Sequence, residues 1–306
     1  MPFPMDLFII GGGPAGMAAA IQLKRSEFNP VILEKEQLGG LLNNALLVEN
    51  YPGFPGGISG PELVERMTLH LKELKIKVIY EEVISVDLQS SGKDNKSGLR
   101  QDIYIKTENN RYIASHLIIA SGTKPLVHSI KLPEEIRHLV FYEARHLVGI
   151  SGKKIVIIGA GDAAFDYALN LSRENDIILM NRHADLSALP LLIRRAERNR
   201  RISYLTDREI VATELKDEKH IRLTIKDGNN KIEYFFCDYL LFAIGREPNF
   251  EFISPALKNQ LESLAASRQV LLIGDVKNGM FRQASISAGD GIRAGMEITQ
   301  AWRHFC

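Results

Sequence analysis

Three glycines in the order Gly11-x-Gly13-x-x-Gly16 follow a short apolar run at 7–10 and open an alanine-rich, helix-prone segment at 17–24. A glycine turn between strand and helix holds a pyrophosphate, because its backbone can approach closely and the helix start offers free N–H groups and partial positive charge. Glu34 stands 23 positions after Gly11, at the end of the apolar run Val31-Ile32-Leu33. A carboxylate there accepts hydrogen bonds from both hydroxyls of an adenosine ribose. The pattern predicts adenine-dinucleotide binding. It recurs as an apolar run at 155–158, then Gly159-x-Gly161-x-x-Ala164, a helix-like stretch through Leu171 and a strand at 177–180. The same 23-residue step from Gly159 lands on Arg182. Arginine attracts a ribose 2′-phosphate where an acidic residue repels it, which points towards NADP(H).

Two such units offset by 148 residues predict an α/β fold of two Rossmann-like, three-layer domains, the second inserted in the first. We place the discontinuous first domain at 1–117 and 247–306 and the second at 118–246. Residues 78–87 and 103–107 read as strands around a polar hairpin tip at 89–101, and 117–122 as a buried strand entering a small-residue turn. Residues 239–245 repeat that strand and turn, and 270–275 with a helix at 284–302 read as a return to the first domain. The 306 residues are 45% hydrophobic and 25% charged, enough for a sizeable core, and the net charge of +1 gives no field for nucleic acid or an anionic membrane. Only Cys237 and Cys306 occur, which excludes a disulfide scaffold and a cysteine-ligated cluster and fits a reducing cytoplasm. The start carries no basic signal region, no run approaches the ~20 apolar residues of a spanning helix, and His128, His138 and His146 lack metal-ligand spacing.

Further motifs lie in order along the whole chain: Val48-Glu49-Asn50-Tyr51-Pro52-Gly53-Phe54, Gly60-Pro61-Glu62-Leu63, Ala120-Ser121-Gly122, Ala243-Ile244-Gly245-Arg246-Glu247-Pro248-Asn249, Gly274-Asp275 and Arg282-Gln283-Ala284. With the two glycine turns, they make the sequence similar to the low-molecular-weight thioredoxin reductase family of flavoproteins. The resemblance implies FAD in the first domain and NADP(H) or NAD(H) in the second. It places Glu34 on the FAD ribose, Asn50 near the flavin, Asp275 on the ribityl chain and Gln283 with Ala284 at the isoalloxazine. The implied cofactor contacts also include Gly11, Gly13, Pro14, Ala15, Gly16, Lys35, Gly40, Val83, Ser121, Gly122, Gly274 and Arg282. For the second dinucleotide they include Gly159, Gly161, Asp162, Ala163, Ala164, Arg182, His183, Ile244 and Gly245. Tyr51 either borders the flavin or packs its own loop. Hydride exchange needs positioning rather than a dedicated acid or base, so no catalytic side chain is expected.

The family's thioredoxin reductases carry a Cys-x-x-Cys before the second glycine turn, and here Tyr142-Glu143-Ala144-Arg145 takes that place. Residues 141–142 and 152–155 look similar to the branch of thioredoxin-reductase-like ferredoxin (flavodoxin)–NADP reductases, which implies an external carrier as electron acceptor. The family's His-Arg-Arg-x-x-x-Arg phosphate pattern retains Arg182 alone, among Asn181, His183 and Ser187, which leaves NADPH and NADH both open. Arg194, Arg195, Arg198, Arg200 and Arg201 form a basic run that is either a docking face for an acidic ferredoxin or flavodoxin or a solvated helix face. The other readings are a thioredoxin-like disulfide acceptor, a flavin-binding sensor with a degenerate second domain, and an oxidase that reduces oxygen. The resemblance implies a homodimer.

Overall fold

The structure, a computed structural model, describes residues 6–89, 101–183 and 185–303. The chain divides into two compact units: one spans the stretch before Asn44, Leu47–Lys124 and the part from Pro248 onward, and the other Pro125–Glu247 with Asn44–Leu46.

The first unit is built from β1 (Leu7–Ile10), α1 (Pro14–Arg25), β2 (Val31–Glu34), α2 (Gly60–Glu73), β3 (Lys77–Tyr80), β4 (Val83–Gln89), β5 (Asp102–Thr107), β6 (Arg111–Ala114) and β7 (His116–Ile119). Late in the chain α5 (Pro255–Asn259), α6 (Leu261–Ala266), β18 (Val270–Leu272) and α7 (Ala284–Arg303) complete it. A parallel sheet runs β18-β7-β1-β2-β3, so a strand from the end of the chain adds to the edge of β7. β1 and, after His116, the rest of β7 are continuous apolar runs because both of their faces are covered. Leu7, Ile9, Ile32 and Ile118 pack against α1 and α7, while the alternate residues Phe8, Ile10, Leu33, Leu117 and Ile119 pack against β4, β5 and the α5–α6 pair. α1 and α7 meet backbone to backbone: a Cβ on Gly291 would lie 2.2 Å from the Ala15 carbonyl oxygen.

Two sequence readings change here. The expected boundary at 117/118 cuts through β7, whose four residues all pair with β1 in the first sheet, so the chain leaves this unit at Lys124 instead. The strand expected at 78–87 is two strands in different sheets, β3 parallel to β2 and β4 antiparallel to β5. The break falls at Glu81, whose carboxylate accepts bonds from Thr107 Oγ1 (2.5 Å), Asn110 Nδ2 (2.5 Å) and the Tyr112 hydroxyl (3.2 Å). Most of the expected hairpin tip, 90–100, lies outside the described residues.

The second unit comprises β8 (Thr123–Pro125), β9 (Val140–Phe141), β10 (Lys154–Ile158), α3 (Asp162–Leu171), β11 (Asp176–Met180), α4 (Pro190–Glu197) and β12 (Ile202–Leu205). It continues with β13 (Arg208–Lys216), β14 (His220–Asp227), β15 (Ile232–Cys237), β16 (Tyr239–Phe242) and β17 (Arg246–Pro248). Strands β8 and β17 pair as a ribbon where the chain passes between the units. The main sheet is again parallel, β12-β11-β10-β16-β9. Ile155, Ile157, Ile177 and Leu179 face α3 and α4, and Val156, Met180, Leu240 and Phe242 face the antiparallel sheet β13-β14-β15. The two units thus repeat one α/β/β layering. Cys237 ends β15 in that core, where burial pushes its thiol up to about 12. Cys306 lies outside the described residues.

Candidate functional site

The first glycine turn is forced by close approach. Gly11 has φ +100°, and a Cβ on it would sit 2.3 Å from the Ala120 carbonyl oxygen. A Cβ on Gly16 would sit 1.9 Å from the Gly11 oxygen, so strand and helix touch only because both residues are glycine. Gly13 differs: it is the extended N-cap of α1, and a Cβ there would meet nothing within 4 Å. Pro14 starts α1 with a pre-set φ and no side chain caps this helix, whereas Ser59 caps α2 by accepting the Glu62 N–H. The start of α1 thus carries no side-chain cap and has open space beside Gly13, an arrangement that fits a pyrophosphate. Glu34 is fixed by two backbone bonds: its Oε2 accepts the Gly12 N–H at 2.7 Å and its Oε1 the Glu36 N–H at 3.1 Å. Gly40 lies beside Gly13, Lys35 is exposed just past Glu34, and Val83 opens β4 in register with Thr107.

The late part of the chain packs onto the same turn. Gly274 (φ +71°) approaches Ala15 so closely that a Cβ would lie 2.8 Å from the Ala15 Cβ, and Asp275 Oδ1 accepts the Ser287 hydroxyl at 2.9 Å. Asn50 Nδ2 donates to Gln283 Oε1 at 2.8 Å, joining two expected contacts 233 residues apart, with Arg282 and Ala284 on either side of Gln283. Ser121 Oγ donates to the Asn249 carbonyl, and the Asn249 N–H donates to the Gly122 oxygen at 3.0 Å. Tyr51 packs its own loop, with its ring centre 6.1 Å from that of Phe54. Sequence reasoning missed Asp290, whose Oδ2 accepts the Gly274 N–H at 3.1 Å and Asn278 Nδ2 at 2.7 Å. No local pattern marks it, because its partners are set by the docking of α7.

The second turn repeats the first. Gly159 (φ +149°) would place a Cβ 2.3 Å from the Ala243 oxygen, and Ala164 is fully buried against it. Gly161 is the uncapped N-cap of α3, followed by Asp162 and Ala163, both exposed. Asp162 Oδ1 accepts the Leu189 N–H at 2.7 Å, and the Ser187 N–H donates to Ala160 at 3.1 Å, so residues 187–189 lie across the turn. Asn181 Nδ2 donates to the carbonyls of His183 (2.8 Å) and Asp185 (3.1 Å), which leaves Arg182 and His183 exposed after β11. Ile244 is partly exposed, and Gly245 (φ +117°) accepts the Leu126 N–H.

At 142–145 the structure holds charges. Glu143 Oε2 accepts Arg145 Nε at 2.8 Å, its Oε1 lies 3.5 Å from Arg246 Nη2, and Asn44 bridges Glu143 and the Arg145 N–H. Nearby, burial pushes the Asp166 carboxyl up to about 6 against the bond it accepts from the Leu46 N–H. Burial likewise raises the Tyr167 hydroxyl to about 12. His128 is a packing residue, stacked on Phe242 with ring centres 4.0 Å apart, and desolvation lowers its pKa.

Two parallel-sheet units, each with a glycine turn shaped for a dinucleotide, define a two-cofactor nucleotide oxidoreductase. Residues 5–289 match the family model for pyridine nucleotide-disulphide oxidoreductases, and the chain belongs to that family as an FAD-dependent NAD(P)H oxidoreductase. It is similar to the thioredoxin reductase of Rickettsia typhi, 29% identical over 98% of this chain and 99% of that one. It is also 29% identical to the thioredoxin reductase of Escherichia coli O157:H7, over 95% and 94% of the two chains. Among solved structures it is similar to Lactococcus lactis thioredoxin reductase, with TM-score 0.81, 27% identity and coverage of 97% and 98%. Among the described residues no helix is long and apolar enough to cross a membrane.

Proposed function

We propose that this chain takes a hydride from NAD(P)H onto FAD and delivers the electron pair to a disulfide of an external thioredoxin-like protein. The observation that carries this reading is the full-length likeness to thioredoxin reductases, over 98% of the chain; with only Cys237 and Cys306 and no Cys-x-x-Cys, the electron pair would pass from the flavin to the partner's disulfide directly. Bound FAD supplies the two-electron chemistry, and the net reaction balances as NAD(P)H + H⁺ + disulfide giving NAD(P)⁺ + two thiols. We assign the first unit to FAD, with the N–H groups after Gly13 on the pyrophosphate, Glu34 on the ribose, and Asn50, Asp275 and Gln283 towards the flavin end. The second unit takes NAD(P)H at Gly159, Gly161 and the start of α3. Arg182, exposed after β11 with His183 beside it, is the positive charge available for a 2′-phosphate and favours NADPH.

A second reading, an acidic ferredoxin or flavodoxin as acceptor, draws support from the same lack of a dithiol and from Arg194, Arg198 and Arg200, all exposed around the end of α4. The deciding experiment reduces the purified holoprotein anaerobically with NADPH and then adds oxidised thioredoxin, ferredoxin, flavodoxin or oxygen separately. Rapid flavin reoxidation with stoichiometric thiol release from thioredoxin supports the proposal. Reoxidation by the carriers alone transfers the assignment to the second reading, and a flavin that NADPH and NADH never bleach refutes both. A homodimer is the assembly this reading expects, checked by sedimentation equilibrium.

A further inference from the structure

Five exposed arginines gather where two turns of the second unit meet: Arg173 after α3, and Arg194, Arg198, Arg200 and Arg201 along and after α4. Arg194 and Arg198, four residues apart, share one face of the helix end. Hydrogen bonds hold the two turns together. Asn199 Nδ2 donates to Ser172 Oγ at 2.8 Å, Arg201 Nη1 to the Arg173 carbonyl at 3.2 Å, and the Ile177 N–H to the Arg201 carbonyl at 2.8 Å. Among the described residues none of the five arginines makes an ion pair, although Glu174, Asp176 and Glu197 are exposed beside them in the chain. Exposed arginines elsewhere do: Arg66 with Glu62, Arg137 with Glu134, Arg222 with Glu214 and Arg268 with Glu297. We propose that this cluster is a docking face for an acidic segment of a partner protein, separate from the nucleotide site of the same unit.

Strand direction separates the two. β10, β11 and β12 are parallel; the second glycine turn follows the C-terminal end of β10, whereas Arg173 and Arg201 precede the N-terminal ends of β11 and β12. The five residues of β10, about 16 Å of strand, lie between those ends of the sheet. Both α3 and α4 end at the cluster, and their partial negative charge steadies the cations without neutralising them. Each guanidinium presents a planar fork that pairs with a carboxylate through two bonds. Five positive charges with three carboxylates among them leave an excess of two. That excess is too small for a run of nucleic-acid phosphates and complementary to carboxylates spaced along a peptide. The second reading above uses three of these arginines to receive an electron carrier; the docking inferred here is independent of electron transfer and of the acceptor's identity.

The test is fluorescence anisotropy of a labelled decaglutamate peptide titrated with the FAD-loaded protein at low salt. The double change Arg198→Gln with Arg200→Gln should weaken binding about three- to tenfold, and high salt should weaken it for the unaltered protein. Arg111→Gln with Arg293→Gln, two exposed arginines of the first unit, should leave the affinity unchanged. Saturating NADP⁺ should not displace the peptide, and thermal denaturation should show all three proteins folded. Absence of peptide binding, equal binding by the Arg198/Arg200 double variant, or displacement by NADP⁺ overturns the inference. So does capture of a single-stranded oligonucleotide or of phosphatidylglycerol vesicles in place of the peptide. Slower flavin reoxidation by ferredoxin under saturating peptide also overturns it, and returns these arginines to the second reading.

Discussion

Replacing Gly13 by alanine tests whether the first turn holds FAD, because it perturbs the ligand and barely touches the protein. The residue has φ −74° and ψ −177°, which any L-residue adopts, and its added Cβ meets no atom within 4 Å. Alanine at a helix N-cap costs about 0.5–1 kcal/mol relative to a good cap, offset by about 0.4–1 kcal/mol from the stiffer unfolded chain. The FAD-free variant should therefore melt within a few degrees of the unaltered apoprotein. With FAD present the new methyl occupies the space that the pyrophosphate needs, and displacing the ligand costs about 1–3 kcal/mol, roughly 5- to 150-fold in Kd. The assay pairs flavin fluorescence quenching on apoprotein with thermal denaturation followed by circular dichroism. Gly16→Ala is the contrasting control: its Cβ would overlap the Gly11 oxygen at 1.9 Å, so stability and binding fall together. A Gly13→Ala protein with an unchanged Kd for FAD would refute the reasoning, because the open side of the turn would then not face the dinucleotide.

Other expectations follow from the same geometry. Arg182→Ala should lower the NADPH/NADH ratio of kcat/KM by about fivefold, the worth of one exposed charge pair, and an unchanged ratio removes Arg182 from phosphate recognition. Cys237→Ala should leave NAD(P)H oxidation turnover intact, since a buried thiol held near 12 supplies no thiolate at neutral pH; loss of turnover without loss of fold would contradict this. The Asp166 carboxyl titrates near 6 in the folded chain against about 3.9 unfolded, so the folded state binds the proton more tightly and stability falls as pH rises through that window. Asp166→Asn should stabilise the protein by about 1–3 kcal/mol above pH 6 and by little near pH 4, and parallel denaturation midpoints at both pH values would discard the buried-charge account.

Both parallel sheets were legible because β1, β7, β10 and β16 are apolar on two faces and end at glycine or at small residues. The spacing from Gly11 to Glu34 was legible for the same reason: one strand, one helix and one strand have a fixed length. The break between β3 and β4 was not, since apolar residues flank Glu81 and Glu82 on both sides and the partners that turn the chain come from 107–112. Resemblance alone singled out Asn50 and Gln283; nothing in their local sequence announces a contact across the chain. Asp290 escaped altogether, as one polar residue in a long helix whose role depends on where the Gly274 N–H ends up.

The placement of β18 has a bearing on biogenesis. During translation the ribosome releases residues 125–247, a nearly contiguous unit, while the sheet that flanks β1 still lacks its edge strand. β7 must wait some 150 residues for the partner that pairs with Leu117, Ile118 and Ile119. A nascent chain stalled in that interval exposes an unpaired parallel edge, the kind of surface that chaperones shield and that recruits misassembly. Premature stop codons near the 3′ end of the message should therefore yield insoluble product rather than a soluble, inactive enzyme.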